Sequence, residues 1–136
     1  MTFLALLMTA VLLSLAGLHV LWGIGLWWPI RDERALVAAV VGVRGAERMP
    51  GPIPCALVAV ALLAAAQWLW LPQGALRQAG LIIAATVFLI RGLVPWRPFW
   101  RTLTPQQPFS RLDRQFYSPL CTALGAGFAL QAWPPA

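Results

Sequence analysis

The sequence predicts an all-α membrane protein: four transmembrane helices in an antiparallel bundle, with both termini on the outer, periplasmic side. Three observations predict it. First, 60% of the 136 residues are hydrophobic and only 10% are charged, against roughly 25% charged in ordinary soluble domains. Such a chain lacks the polar residues to cover a core with a water-facing surface. Second, apolar runs near the ~20 residues needed to cross a bilayer's hydrocarbon recur four times. Third, nine of the ten arginines fall in or beside two of the connections between those runs.

The helices are expected at about 3–26, 53–71, 77–95 and 112–133, within a single domain spanning residues 1–136. The first run is uncharged from Thr2 to Ile30 and has no positive segment before it. That is longer than the ~7–15 apolar residues of a cleaved signal, so it reads as a retained helix. The second is introduced by Pro50-Gly51-Pro52-Ile53-Pro54 and closed by Trp68, Trp70 and Pro72. Between Arg77 and Arg91 stand only 13 uncharged residues, roughly 20 Å of helix. The third helix must therefore continue through Arg91 to about Pro95. The fourth carries Pro119 near its start, where the missing amide predicts a kink.

The turn Pro72-Gln73-Gly74-Ala75 makes the second and third helices an antiparallel hairpin. Around the two longer connections lie Arg31, Arg34, Arg44 and Arg48, and then Arg91, Arg97, Arg101, Arg111 and Arg114, with Arg77 alone on the other side. The positive-inside rule makes the arginine-rich face cytoplasmic. Tryptophan agrees, because its ring favours the headgroup level. Trp22, Trp27, Trp28, Trp96 and Trp100 are expected at the cytoplasmic interface, and Trp68, Trp70 and Trp133 at the outer one. Residues 32–43 suit either a short interfacial helix or an extended segment. Four prolines exclude a long helix over 95–114 and predict a loop along the surface, ending where Ser110 and Asp113 look like a helix start.

Ordering the polar residues by depth gives the candidate site. His19 lies about 24 Å along the first helix, towards its cytoplasmic end, and Arg91 lies roughly one turn inside the same end of the third. Asp113 and Tyr117 open the fourth helix there, and Cys55 and Cys121 fall within two turns of that level. A lone charge in hydrocarbon costs about 2.5–3.5 kcal/mol on insertion scales, so Arg91 either pairs with an acid or an anionic ligand, with Asp113 as the nearest candidate, or snorkels to headgroups. His19 reads as an interhelical hydrogen-bonding residue or as a proton relay. The spacing of His19, Cys55, Cys121 and Asp113 is not that of a metal site, and the two cysteines read as buried thiols.

Three stretches carry a family resemblance: Leu18-His19-Val20-Leu21-Trp22-Gly23, Phe88-Leu89-Ile90-Arg91-Gly92, and Phe109-Ser110-Arg111-Leu112-Asp113-Arg114-Gln115-Phe116-Tyr117-Ser118-Pro119-Leu120-Cys121. In these the chain resembles, over nearly its whole length, a bacterial family of small four-helix membrane proteins catalogued as domain of unknown function 3995. The resemblance implies that His19, Trp22, Arg91, Asp113, Tyr117 and Cys121 belong to one shared feature. It brings no activity with it, and the proline-rich stretch between Trp96 and Pro108 departs from the family.

The functional expectation is a multi-pass protein of the bacterial inner membrane without a catalytic motif. It would serve as an auxiliary subunit of a larger membrane complex or as a bundle holding a lipid-like ligand. The alternative is a small intramembrane enzyme or transporter that acts on a hydrophobic substrate through the cytoplasmic-side cluster. No cofactor is required, although the bundle leaves room for a bound lipid, quinone or pigment. Partners are membrane lipids and a protein or second copy within the membrane, and no basic stripe on a polar scaffold points to nucleic acid.

Overall fold

The computed structural model describes residues 1–133, and every regular element among them is helical. Four helices form the body: α1 (Thr2–Gly23), α3 (Pro52–Trp68), α4 (Ala75–Leu93) and α7 (Ser118–Ala132). The long connections hold the short helices α2 (Glu33–Val40), α5 (Pro98–Leu103) and α6 (Phe109–Leu112).

Local chemistry accounts for the boundaries. The Leu- and Ala-rich run of α1 has high helix propensity, and the chain turns away at Gly25, whose φ is 84°. In α2 the Asp32 carboxylate accepts the Ala35 amide at 3.0 Å, and Glu33 stands in the first turn. This cap and the favourable dipole contact make the segment helical rather than extended. Both α3 and α5 begin at a proline, whose absent amide is harmless in a first turn. The surface loop expected over 95–114 is thus interrupted by two short helices.

The fourth body helix departs most from expectation. A continuous helical path runs from Phe109 to Ala132, but its bonding pattern slips to π over Asp113–Tyr117 before α7 begins. Pro119 has no amide to offer the carbonyl one turn back, and the wider stretch falls immediately before it, as π-bulges do where the regular ladder is interrupted. Neither Ser110 nor Asp113 caps a start. The helix is already under way at Phe109, with no side-chain cap bond.

Two helical stretches, Thr2–Gly23 and Ala75–Trp96, are long and apolar enough to cross a membrane, and Pro52–Trp68 is a shorter apolar helix. Length and composition thus qualify two of the four expected spans. The 15 residues of α7 cover only about 22 Å.

Packing divides the body into pairs. α1 lies along α3 and α4 along α7, with slighter contact between α3 and α4 and between α1 and α7. All four contribute to one core of Met8, Leu12, Leu62, Leu81, Leu124 and Phe128. Phe128 stacks on Phe88 with ring centroids 5.6 Å apart. The α4–α7 contact is close enough that a Cβ at Gly125 would lie 2.8 Å from the Leu89 amide nitrogen, and one at Gly92 would meet Thr122. Small residues such as Ala5, Ala16, Ala59, Ala66 and Ala85 are buried among larger ones, while many large apolar side chains, including Phe3, Leu6, Ile53, Val60, Ile83, Val87 and Phe116, face outward.

A second cluster, Leu36, Val37 and Met49 with Trp22, Trp27 and Ile30 against it, seats α2 over the end of α1. At Gly42 (φ 73°) the Phe109 ring occupies the space a Cβ would take. Glycine there lets the chain after α2 pass directly beneath α6. The Gln106 amide donates to the Gly42 carbonyl at 3.2 Å in the same place.

Candidate functional site

The site is built where the end of α4 meets the π stretch before α7. Arg91, in the last turn of α4, donates from Nη2 to Asp113 Oδ1 at 2.9 Å. The other carboxylate oxygen, Oδ2, accepts the Trp100 indole N–H at 2.8 Å. Trp100 also places its ring 5.1 Å from the Arg91 guanidinium carbon, within cation–π range. Asp113 is 1% exposed, so its charge is compensated by these two donors and by almost no water. The π slip brings Asp113 to this position, because it rotates the carboxylate relative to where a regular helix leading into α7 would hold it.

Ser118 and Trp96 extend the network one turn deeper. The Trp96 indole donates to Ser118 Oγ at 3.0 Å, and the Ser118 hydroxyl donates to the Gly92 carbonyl. Tyr117 reaches the other way and donates to the Ala39 carbonyl at 2.8 Å, which ties α2 to the π stretch. Its ring also packs at 5.8 Å on Phe109. Cys121, half-buried, follows one turn after Tyr117 in α7, whereas both cysteines had been expected to be buried.

His19 and Trp22 belong to a different neighbourhood. His19 Nδ1 lies 2.7 Å from the Leu15 carbonyl, and its ring sits 5.0 Å from that of Trp22. Both line a cavity of about 130 Å³ between α1, α3 and the end of α2, together with Met49 and the buried Cys55. The structure therefore brings Arg91 and Asp113 into contact and sets Tyr117 in the same helical stretch, while His19 and Trp22 flank a separate recess. Among the described residues no group of three His, Cys, Asp or Glu side chains could hold a metal.

Sequence reasoning missed several participants. Trp100 had been assigned to a lipid-facing belt, yet it is the second donor to Asp113. Other indoles of the two expected belts are likewise used internally: Trp22 donates to the Trp28 carbonyl at 2.8 Å, Trp68 to the Leu76 carbonyl at 3.3 Å and Trp70 to Thr9 Oγ1 at 2.9 Å. Arg77, expected alone on the outer side at the start of the third helix, is only 8% exposed. It donates to the carbonyls of Leu69 at 3.2 Å and Gln131 at 3.3 Å, and to Gln73 Oε1 at 3.4 Å. Arg77 thus fastens the turn after α3 to the end of α7. The one sequence signal for it was its isolation, since a solitary arginine opposite nine others has no topological reason to be there.

Fold and site together define a small all-helical protein with many large apolar side chains on its exterior and an ion pair joining the end of α4 to the π stretch before α7. The chain belongs to the family described as Protein of unknown function (DUF3995), whose match covers residues 12–128, a range that contains all six candidate site residues. No curated protein and no solved structure gives a match to it.

Proposed function

We propose that this is a four-span protein of the cytoplasmic membrane, with its arginine-rich face in the cytoplasm, that works by holding a lipid-like molecule or a neighbouring membrane subunit rather than by catalysis. The observation that carries this reading is that the polar groups nearest the ion pair are already engaged in holding elements together. Asp113 accepts from Arg91 and Trp100, Tyr117 donates to a carbonyl of α2, and Ser118 donates to a carbonyl of α4. A general acid or base needs a proton position open to substrate, and an Asp113 locked by two donors offers none. Four crossings are supported by the outward-facing large apolar side chains on all four body helices and by the gathering of nine of the ten arginines in or beside two connections. The shortness of α7 is compensated by the helical path continuing back to Phe109.

Two measurements test it. A C-terminal reporter that functions only in the cytoplasm should stay silent, while one that functions only outside should be active; the reverse pattern overturns the topology. Gentle solubilisation followed by mass spectrometry should find a stoichiometric subunit or a defined amphiphile, and a bare monomer would remove the holding role.

A further inference from the structure

The one buried side-chain nitrogen or oxygen without a hydrogen-bond partner among the described residues is Arg91 Nη1. Arg91 also closes one end of an apolar groove on the exterior. That groove, of about 670 Å³, lies between α3 and α4, which touch far less than the α1–α3 and α4–α7 pairs do. Ala61, Leu62 and Ala65 form one wall and Ala84, Val87 and Phe88 the other, with Trp68 and Gly80 at the far end. Apart from Arg91, its lining offers almost nothing polar.

From this juxtaposition we propose that the groove binds the hydrocarbon chain of a single amphiphile, whose acidic head oxygen is taken by Arg91 Nη1. The inference rests on the membrane-spanning reading above and names its ligand class. Three features point to this occupant. From Gly80 to Arg91 is about 16 Å of helix, roughly half of a 30 Å hydrocarbon core, so the groove matches one leaflet's chain with Arg91 at its head. The volume falls in the ~300–1,000 Å³ range of ordinary ligand sites. The charge is complementary as well. Asp113 balances Arg91, but Arg97, Arg101, Arg111 and Arg114 lie nearby in sequence on the same connection, which favours a phosphate or carboxylate over a neutral head.

Nη1 itself is covered, whereas the Arg91 side chain as a whole is 33% exposed. Binding therefore turns the guanidinium slightly while Nη2 keeps Asp113. Trp100 and Asp113 hold Arg91 at a fixed depth, so only a head at that level is captured. A carboxylate and a phosphodiester share the required chemistry, namely an acidic oxygen terminating a hydrocarbon chain.

The test uses the full chain in phosphatidylcholine vesicles that contain trace spin-labelled phosphatidylglycerol, stearate at a pH where it is ionised, or phosphatidylcholine. The protein should immobilise at least one acidic probe about three- to tenfold more than the phosphatidylcholine probe, the range expected of one ordinary net hydrogen bond. Comparing phosphatidylglycerol with stearate identifies the source of the acidic head. Ala61→Trp fills the groove from an exposed position without touching the ion pair, and should abolish the preference. Arg91→Gln should abolish it too. If Arg91→Gln does not fold, Ala61→Trp alone decides.

Equal immobilisation of all three probes overturns the acidic-head proposal. A preference that survives Ala61→Trp assigns it to the arginine rim and overturns the groove. Either result in a chain whose reporters show four crossings leaves the membrane-spanning reading standing, whereas failure of the reporters removes both.

Discussion

Trp100 donates its indole N–H to the oxygen of Asp113 that Arg91 leaves free. One buried carboxylate thus joins the end of α4, the short α5 and the π stretch that leads into α7. Removing one partner of a buried pair leaves the other uncompensated and costs about 3–5 kcal/mol, while preserving both charges preserves most of the stability. Exchanging the charges in Arg91→Asp/Asp113→Arg should therefore melt closer to the parent in detergent than either single reversal. Two single reversals that both melt like the parent would show that the pair contributes nothing.

Trp100→Phe keeps a ring for Arg91 but withdraws the N–H from Asp113. A net loss of about 1–2 kcal/mol is expected, since hydrogen bonds to charged groups are worth roughly that or slightly more. In an Asp113→Asn background the same change should cost less than half as much. Thermal melts of the four proteins in one detergent give the coupling energy directly.

At Gly92 and Gly125 α4 and α7 approach closely, and added methyl groups there collide with Thr122 and with the backbone at Leu89. Gly92→Ala and Gly125→Ala should each destabilise by about 1–3 kcal/mol, the usual range for overpacking. Gly17 has nothing within 4 Å of a would-be Cβ, so Gly17→Ala should be neutral or mildly stabilising. Equal melts for all three variants would contradict the close approach.

Much of this arrangement was legible in the sequence, and the rest was hidden for identifiable reasons. Hydropathy and the arginine distribution locate the body helices within a few residues, because apolar run length and charge asymmetry are read without tertiary information. Depth alone nominated Asp113 as the nearest acid to Arg91. Trp100 escaped because a tryptophan near an interface looks the same whether its N–H meets water or a buried carboxylate. The π stretch escaped because Pro119 signals an interrupted ladder but not the direction in which the bonding slips. His19 was grouped with Arg91 by depth, yet depth fixes only one coordinate, and rotation about α1 places it beside Met49 and Cys55 instead.

Tyr117→Phe removes the hydroxyl that α2 shares with the π stretch. A cost of about 1 kcal/mol is expected, and its local character is the sharper test. Amide exchange should accelerate over 33–40 and hardly change in α4. Uniform acceleration throughout the chain would mean that the tyrosine supports the whole bundle instead.

Arg77→Gln should loosen the opposite end, where its guanidinium binds the carbonyls of Leu69 and Gln131. Protease sensitivity near residues 69–74 and at the end of α7 should rise together. An increase at one of the two places alone would refute a shared fastening.

The order in which the body helices leave the ribosome gives the pairing a further meaning. α1 finds its partner as soon as α3 is made, but α4 waits for α7, and the acid that neutralises Arg91 arrives 22 residues later. Until then the nascent chain carries the Arg91 guanidinium without the carboxylate that compensates it in the fold. Asp113 therefore ties charge balance to chain order: the pair that joins α4 to the π stretch exists only once residue 113 has been made.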